Sequence, residues 1–110
     1  TAPLDQRVSG TLNRTNNTGA DVIAAPGASI AIVVTDILVV NGHASQGTKV
    51  TVRDDTTGKV VGYAGPLGGG FSLSNPDGLF VCTANKAVTA ICGTTGADVD
   101  ITVSGYKIPA

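Results

Sequence analysis

Residues 98–104 read Asp-Val-Asp-Ile-Thr-Val-Ser, and their alternation decides the fold class. Val99, Ile101 and Val103 fall on one side of an extended chain, and Asp98, Asp100, Thr102 and Ser104 fall on the other. A helix would scatter these seven residues around its axis. A strand sorts them into a core face and a water face. The segment just before it, Gly93-Thr94-Thr95-Gly96, consists of turn formers. Ala87–Cys92 precedes that turn and reads as the strand leading into it.

The same reading extends toward the N-terminus. Thr48–Arg53 alternates again, with Val50 and Val52 on one face and Lys49, Thr51 and Arg53 on the other. Asp54-Asp55-Thr56-Thr57-Gly58 predicts a tight hairpin with Gly58 in the left-handed region, and Lys59–Ala64 is its return strand. Gly65–Gly70 (GPLGGG) predicts a crossing close to another backbone. Phe71–Leu73 and Leu79–Thr83 read as short strands around the Asn75-Pro76-Asp77-Gly78 turn. Ile30–Asn41 is long and β-branched, which fits two short strands or one bulged strand. Val22–Ala25 and Val8–Asn13 complete the set, with Arg14–Asp21 as a loop. Residues 1–7 show no period, contain Pro3, and predict an extended arm. Tyr106–Pro109 is expected to end the chain.

About eight short strands with turns at regular spacing predict an all-β sandwich or barrel. The chain has 110 residues, one domain's worth. Such a chain buries roughly two thirds of its unfolded surface, enough for one modest core and no second lobe. Composition agrees: Gly is 15, Thr and Val are 14 each, Glu and Met are absent, and charged residues are only 14%. Low charge with many β-branched residues is the reverse of the disordered signature. Apolar residues in excess of a small core's capacity point to an interface.

Net charge is −1 and no two of the seven Lys/Arg are adjacent, which speaks against nucleic acid or an anionic membrane as partner. The most apolar window, 22–40, is interrupted by Pro26, Gly27, Ser29 and Asp36 and is too broken to span a bilayer. The start TAPLDQR has no apolar segment of a signal peptide. Cys82 and Cys92 do not make a disulfide framework and are expected as buried free thiols.

Candidate chemistry is thin. His43 stands alone in a Gly/Ser loop and is expected to be solvated rather than catalytic. One His and two Cys match no zinc pattern. Asp98 and Asp100 share a face, but their alternation with Val and Ile makes them a solvated outer face rather than a hydrolytic pair. Asp54-Asp55 lacks the spaced oxygens of a calcium loop. Asn13-Arg14-Thr15 and Asn16-Asn17-Thr18 match the glycosylation pattern at the rate this much Thr produces by chance. The glycine run 65–70 has no following Lys-Ser/Thr and is no phosphate loop. No catalytic residue, cofactor or metal is expected. Of the four aromatics, Tyr63, Phe71, Phe80 and Tyr106, most are expected in a core without Trp or Met. A sugar-binding module would instead expose Tyr63 or Tyr106 beside Asp residues in a groove.

The stretch KVVGYAGPLGGGFSLSNPDGLFVCTANKAVTAICGTTGADVDITVSGYK lies within a resemblance covering roughly Thr48–Lys107. With its Gly-rich crossing, Pro-Asp-Gly-Leu-Phe, Ala-Asn-Lys-Ala-Val-Thr and the closing strand, it resembles small virion proteins of tailed bacteriophages. Several of these are jelly-roll cement, decoration or stapling proteins. The resemblance implies a jelly-roll sandwich on the capsid exterior, made in the host bacterial cytoplasm. It implies that the chain binds the major capsid protein, bridges capsomers, and associates as a dimer or trimer. It carries over no catalytic residue. The rival expectation is a low-copy tail, neck or host-adsorption module that binds a glycan. For attachment, the segment 1–14 is the expected tether, with Leu4 and Val8 as side-chain anchors beside Arg7 and Arg14.

Overall fold

A computed structural model describes residues 6–110. They form nine strands: β1 Arg7–Arg14, β2 Ala20–Ile23, β3 Ile30–Asn41, β4 Thr48–Asp54, β5 Thr57–Ala64, β6 Gly70–Ser74, β7 Phe80–Val81, β8 Val88–Cys92 and β9 Val99–Pro109. Two sheets pack face to face. One runs β1-β9-β3-β6, and the other runs β2-β8-β4-β5. Every strand pair is antiparallel.

The pairing follows a simple plan. β1 pairs with β9, β2 with β8, β3 with β6, and β4 with β5. These four rungs make one long antiparallel ribbon closed by the β4–β5 hairpin. Rolling the ribbon joins β9 to β3 and β8 to β4, which yields the two sheets. This is the jelly roll, an eight-strand double Greek key, with the two-residue β7 added beside β3.

The core lies between the inner faces. Ile32, Val34, Ile37, Val39, Val99, Ile101 and Val103 come from one sheet; Val50, Val52, Val88, Ala90 and Cys92 come from the other. The alternation in 98–104 is realised as expected, with Val99, Ile101 and Val103 buried completely. Small β-branched side chains fill this space in stiff rotamers that suit extended backbone.

Several boundaries differ from expectation. The arm does not include Arg7, which already pairs with Tyr106 as the first residue of β1; Thr1–Asp5 lie outside the described residues. Ile30–Asn41 is one strand, with a bulge between Val34 and Asp36. β9 continues through Pro109 because Ala31 and Ile30 offer partners for Ile108 and Pro109. Proline is tolerated there, at a strand terminus. In the β4–β5 hairpin, Asp55 (φ 55°) takes the left-handed conformation and Gly58 does not. Asp tolerates that region, and Arg53 facing Gly58 sets a two-residue loop, Asp55-Thr56. The strand expected over 79–83 shrinks to β7.

Candidate contact surfaces

The residues singled out for chemistry are engaged in structural work. His43 Nδ1 accepts hydrogen bonds from the backbone N–H groups of Ser45 (3.2 Å) and Gln46 (3.1 Å), so it braces its own loop rather than standing in solvent. The buried Asn41 beside it donates through Nδ2 to the Gln46 carbonyl at 2.7 Å and accepts from the His43 N–H at 3.0 Å. Asp98 and Asp100 share Asn13, whose Nδ2 donates to Asp98 Oδ1 (2.9 Å) and Asp100 Oδ1 (3.0 Å). Among the described residues, no cluster of three or more His, Cys, Asp or Glu could hold a metal ion.

Both thiols are free and buried. Burial, with the Asp54 carboxylate nearby, pushes the Cys82 thiol up to about 12, and Lys59 opposes that shift. Cys92 Sγ donates to the Asn16 carbonyl. The buried Asp54 holds the hairpin to the segment after β7: its Oδ2 accepts from the Thr83 N–H (2.9 Å) and hydroxyl (2.7 Å).

The residues expected to touch a shell do not form one patch. Leu4 lies outside the described residues. Arg7 is exposed at the start of β1, and Arg14 ends the strand about 23 Å away at 3.3 Å per residue. Arg14 closes its own loop, donating through Nη1 to the Thr18 carbonyl at 2.9 Å. Val8 pairs with the inward Gly105 and packs, partly buried, against the core. β1 presents Arg7, Ser9, Thr11 and Asn13 outward.

The sandwich has two lateral flanks. On the β1–β2 flank, Gly10 lets the sheets close, because a Cβ there would strike the Val22 carbonyl. On the β5–β6 flank, Gly62 lies under the Phe71 ring and has no room for a Cβ. The exposed large apolar side chains of the described residues all belong to β3, β5, β6, β7 and the β5–β6 loop. The three most exposed are consecutive along one path: Val61 (58%), Tyr63 (67%) and Leu67 (76%). Leu67 takes a left-handed φ of 52°. Its N–H donates to the His43 carbonyl at 2.5 Å, and that of Gly68 donates to the Asn41 carbonyl at 2.7 Å, so the loop tip is braced. Tyr63 is therefore exposed, while Phe71 and Phe80 pack on the core, so two of the four aromatics serve it rather than most. A usable signal existed in the sequence: residues 60–76 carry no charge at all.

A second feature lies on the outer face of the β1-β9-β3-β6 sheet. An open groove of about 980 Å³ runs between the start of β1 and the 75–77 turn. Arg7, Asp36, Asp77, Ser104 and Tyr106 line it. Asp36 is held by hydroxyls, with Ser74 Oγ donating to Oδ1 and Thr35 Oγ1 to Oδ2.

The architecture has a counterpart among solved structures. A chain in the acidic stable capsid structure of Helicobacter pylori bacteriophage KHP30 is similar to this one, with a TM-score of 0.56. Sequence identity is 15%, and the match covers 96% of this chain and 94% of that chain. At that identity the likeness establishes a shared fold. A chain of the disulfide-linked pili that form Bacillus endospore appendages is more distant, at a TM-score of 0.46 and 13% identity over 94% of this chain and 88% of that one. No protein-family model matches the sequence, and no curated protein matches it.

Proposed function

We propose that the chain is a structural virion protein: a decoration or cement protein that binds the outside of a tailed-phage head. In this reading it grips the major capsid protein, bridges neighbouring capsomers, and associates as a dimer or trimer. The observation that carries the reading is the division between the flanks. A compact jelly roll gathers its exposed large apolar side chains toward the β5–β6 flank and carries a polar, Arg-bearing flank on the other side. That is the surface of a body that joins partners, since large apolar residues gathered on one side of a small domain mark an interaction site. The fold shared with a chain of a phage capsid structure and the resemblance of 48–107 to phage cement proteins support it. Weak contacts repeated over a symmetric shell sum through avidity, so no single large hot spot is needed.

Copy number tests the reading. Quantitative peptide mass spectrometry of purified particles should find this chain in a simple ratio to the major shell protein. A few copies per particle would move it to the tail or neck, and absence from particles would remove the virion role.

The groove supports a second reading, a glycan-binding host-adsorption module. Tyr106 offers an aromatic face, and Asp36, Asp77 and Arg7 offer the polar groups that orient sugar hydroxyls. A glycan array with the intact chain and its Tyr106→Ala variant addresses this. Binding lost on substitution favours the module, and no binding to any glycan removes it.

A further inference from the structure

We propose that β5 is a self-association edge: two copies pair antiparallel through this strand across a two-fold axis at Gly62. This does not depend on the decoration reading and would hold in any role of the chain.

β5 is hydrogen-bonded to β4 on one side only, so a row of main-chain groups faces outward. Proteins normally protect such edges with charge, proline, bulges or brevity. The other edges of the described residues show these devices. β1 carries Arg7 and Arg14 at its ends. β2 has four residues, a register shift and Asp21. β6 has five residues and two serines. β5 is eight residues long, and its segment 60–64 (VVGYA) has neither charge nor proline. It also exposes Val61 and Tyr63 more than any other strand residue among the described large apolar ones. The register shift and Lys59 of β5 lie toward its start, so only the segment 60–64 lacks such devices. An unprotected segment fits a partner that covers it.

The charge pattern selects a second copy. A two-fold axis brings each strand against itself, so charges near the axis would meet like charges. None is present between Val60 and Pro76. With the axis at Gly62, Val61 of one copy lies opposite Tyr63 of the other, a β-branched side chain against an aromatic ring. Such cross-strand pairs stabilise sheets. Val60 faces Ala64. The pairing stops there, because the register shift at Lys59 interrupts β5 on one side and the strand ends at Ala64 on the other. Gly62 puts no side chain on the axis. The product is one continuous sheet, β2-β8-β4-β5 joined to β5-β4-β8-β2 of the second copy.

The test is sedimentation velocity of the full chain from micromolar to near-millimolar concentration. The wild type should form a dimer. Val61→Glu should weaken dimerisation by at least about tenfold, since it buries a charge without a partner. Tyr63→Glu should do the same. Both sites are exposed, so the far-UV spectrum and melting temperature of the monomer should be kept. Ser9→Glu, on the opposite flank, should dimerise like the wild type. A wild type monomeric throughout, a trimer, or a dimer that survives both β5 substitutions would overturn the proposal. Failure of the decoration reading would show in particle copy number and leave these results untouched.

Discussion

Gly10 and Gly62 perform one task on opposite flanks. Each removes a side chain where the two sheets draw together, one against the Val22 carbonyl and one against the Phe71 ring. Each flank also seals the core with a partly buried side chain, Leu12 on one side and Phe71 on the other. What the flanks show to solvent differs. β1 turns Arg7, Ser9, Thr11 and Asn13 outward, whereas β5 turns out Val61 and Tyr63. Closing the sandwich therefore does not require apolar residues on the outside, because the β1–β2 flank closes without them. The apolar exterior of β5 is surplus to folding, and the proposed self-association would account for it.

The largest expected effect tests whether the two closures are equivalent. Gly10→Ala drives a methyl into backbone, which cannot move aside, and should cost about 3 kcal/mol. Gly62→Ala drives it into a ring on an edge strand that can swing outward, and should cost about 1–2 kcal/mol. Urea denaturation of both variants measures the gap; equal costs would mean the flanks close in the same way.

Next in size is the division of labour outside. Attachment to bare shells through the Arg-bearing flank should weaken about tenfold for Arg7→Glu and fall with added salt. Deleting residues 1–5 should weaken attachment while leaving β1, and therefore the fold, intact. Self-association through the uncharged segment 60–64 of β5 should hardly respond to salt. Pull-down of shells and sedimentation across a salt series check both arms. A salt-insensitive attachment would remove Arg7 from that contact.

A smaller effect concerns the core that both flanks enclose. The Cys82 thiol is raised by burial, so the stability it contributes is complete below the ordinary thiol range. That contribution is lost as pH climbs toward about 12. Cys82→Ala should flatten the alkaline limb of a stability–pH curve. Native protein should resist thiol reagents, and denatured, unreduced protein should label at two sites, since both thiols are free. The smallest effect is His43→Ala. Losing two acceptor contacts in its loop should cost about 1 kcal/mol and loosen the brace on Leu67.

The sequence made the strands visible where one face meets core and the other meets water. Asp98–Ser104 and Thr48–Arg53 alternate because each borders both, and the structure confirms their inward valines. Alternation says nothing about which strands pair. The rolled ribbon that sets β9 beside both β1 and β3 came from the structure. β1 alternates weakly because Gly10 stands where an apolar residue would mark the inner face, so Val8 read as a free anchor when it packs inward. Asp55 rather than Gly58 took the strained turn position, since register on β4 rather than local preference placed the loop. Most of the aromatics read as core because a chain without Trp and Met needs large side chains. Small valines and isoleucines fill much of that space beside Phe71 and Phe80, which leaves Tyr63 on the surface. The uncharged run 60–76 was a legible sign of the exposed apolar side chains on that flank.

The most direct test of the two-flank account is amide hydrogen exchange on the intact chain, read peptide by peptide. Concentrating the protein should slow exchange in 60–64 and leave 7–14 unchanged; adding bare shells should slow exchange in 7–14. Protection of β1 on concentration, or of neither flank on shells, would contradict the account.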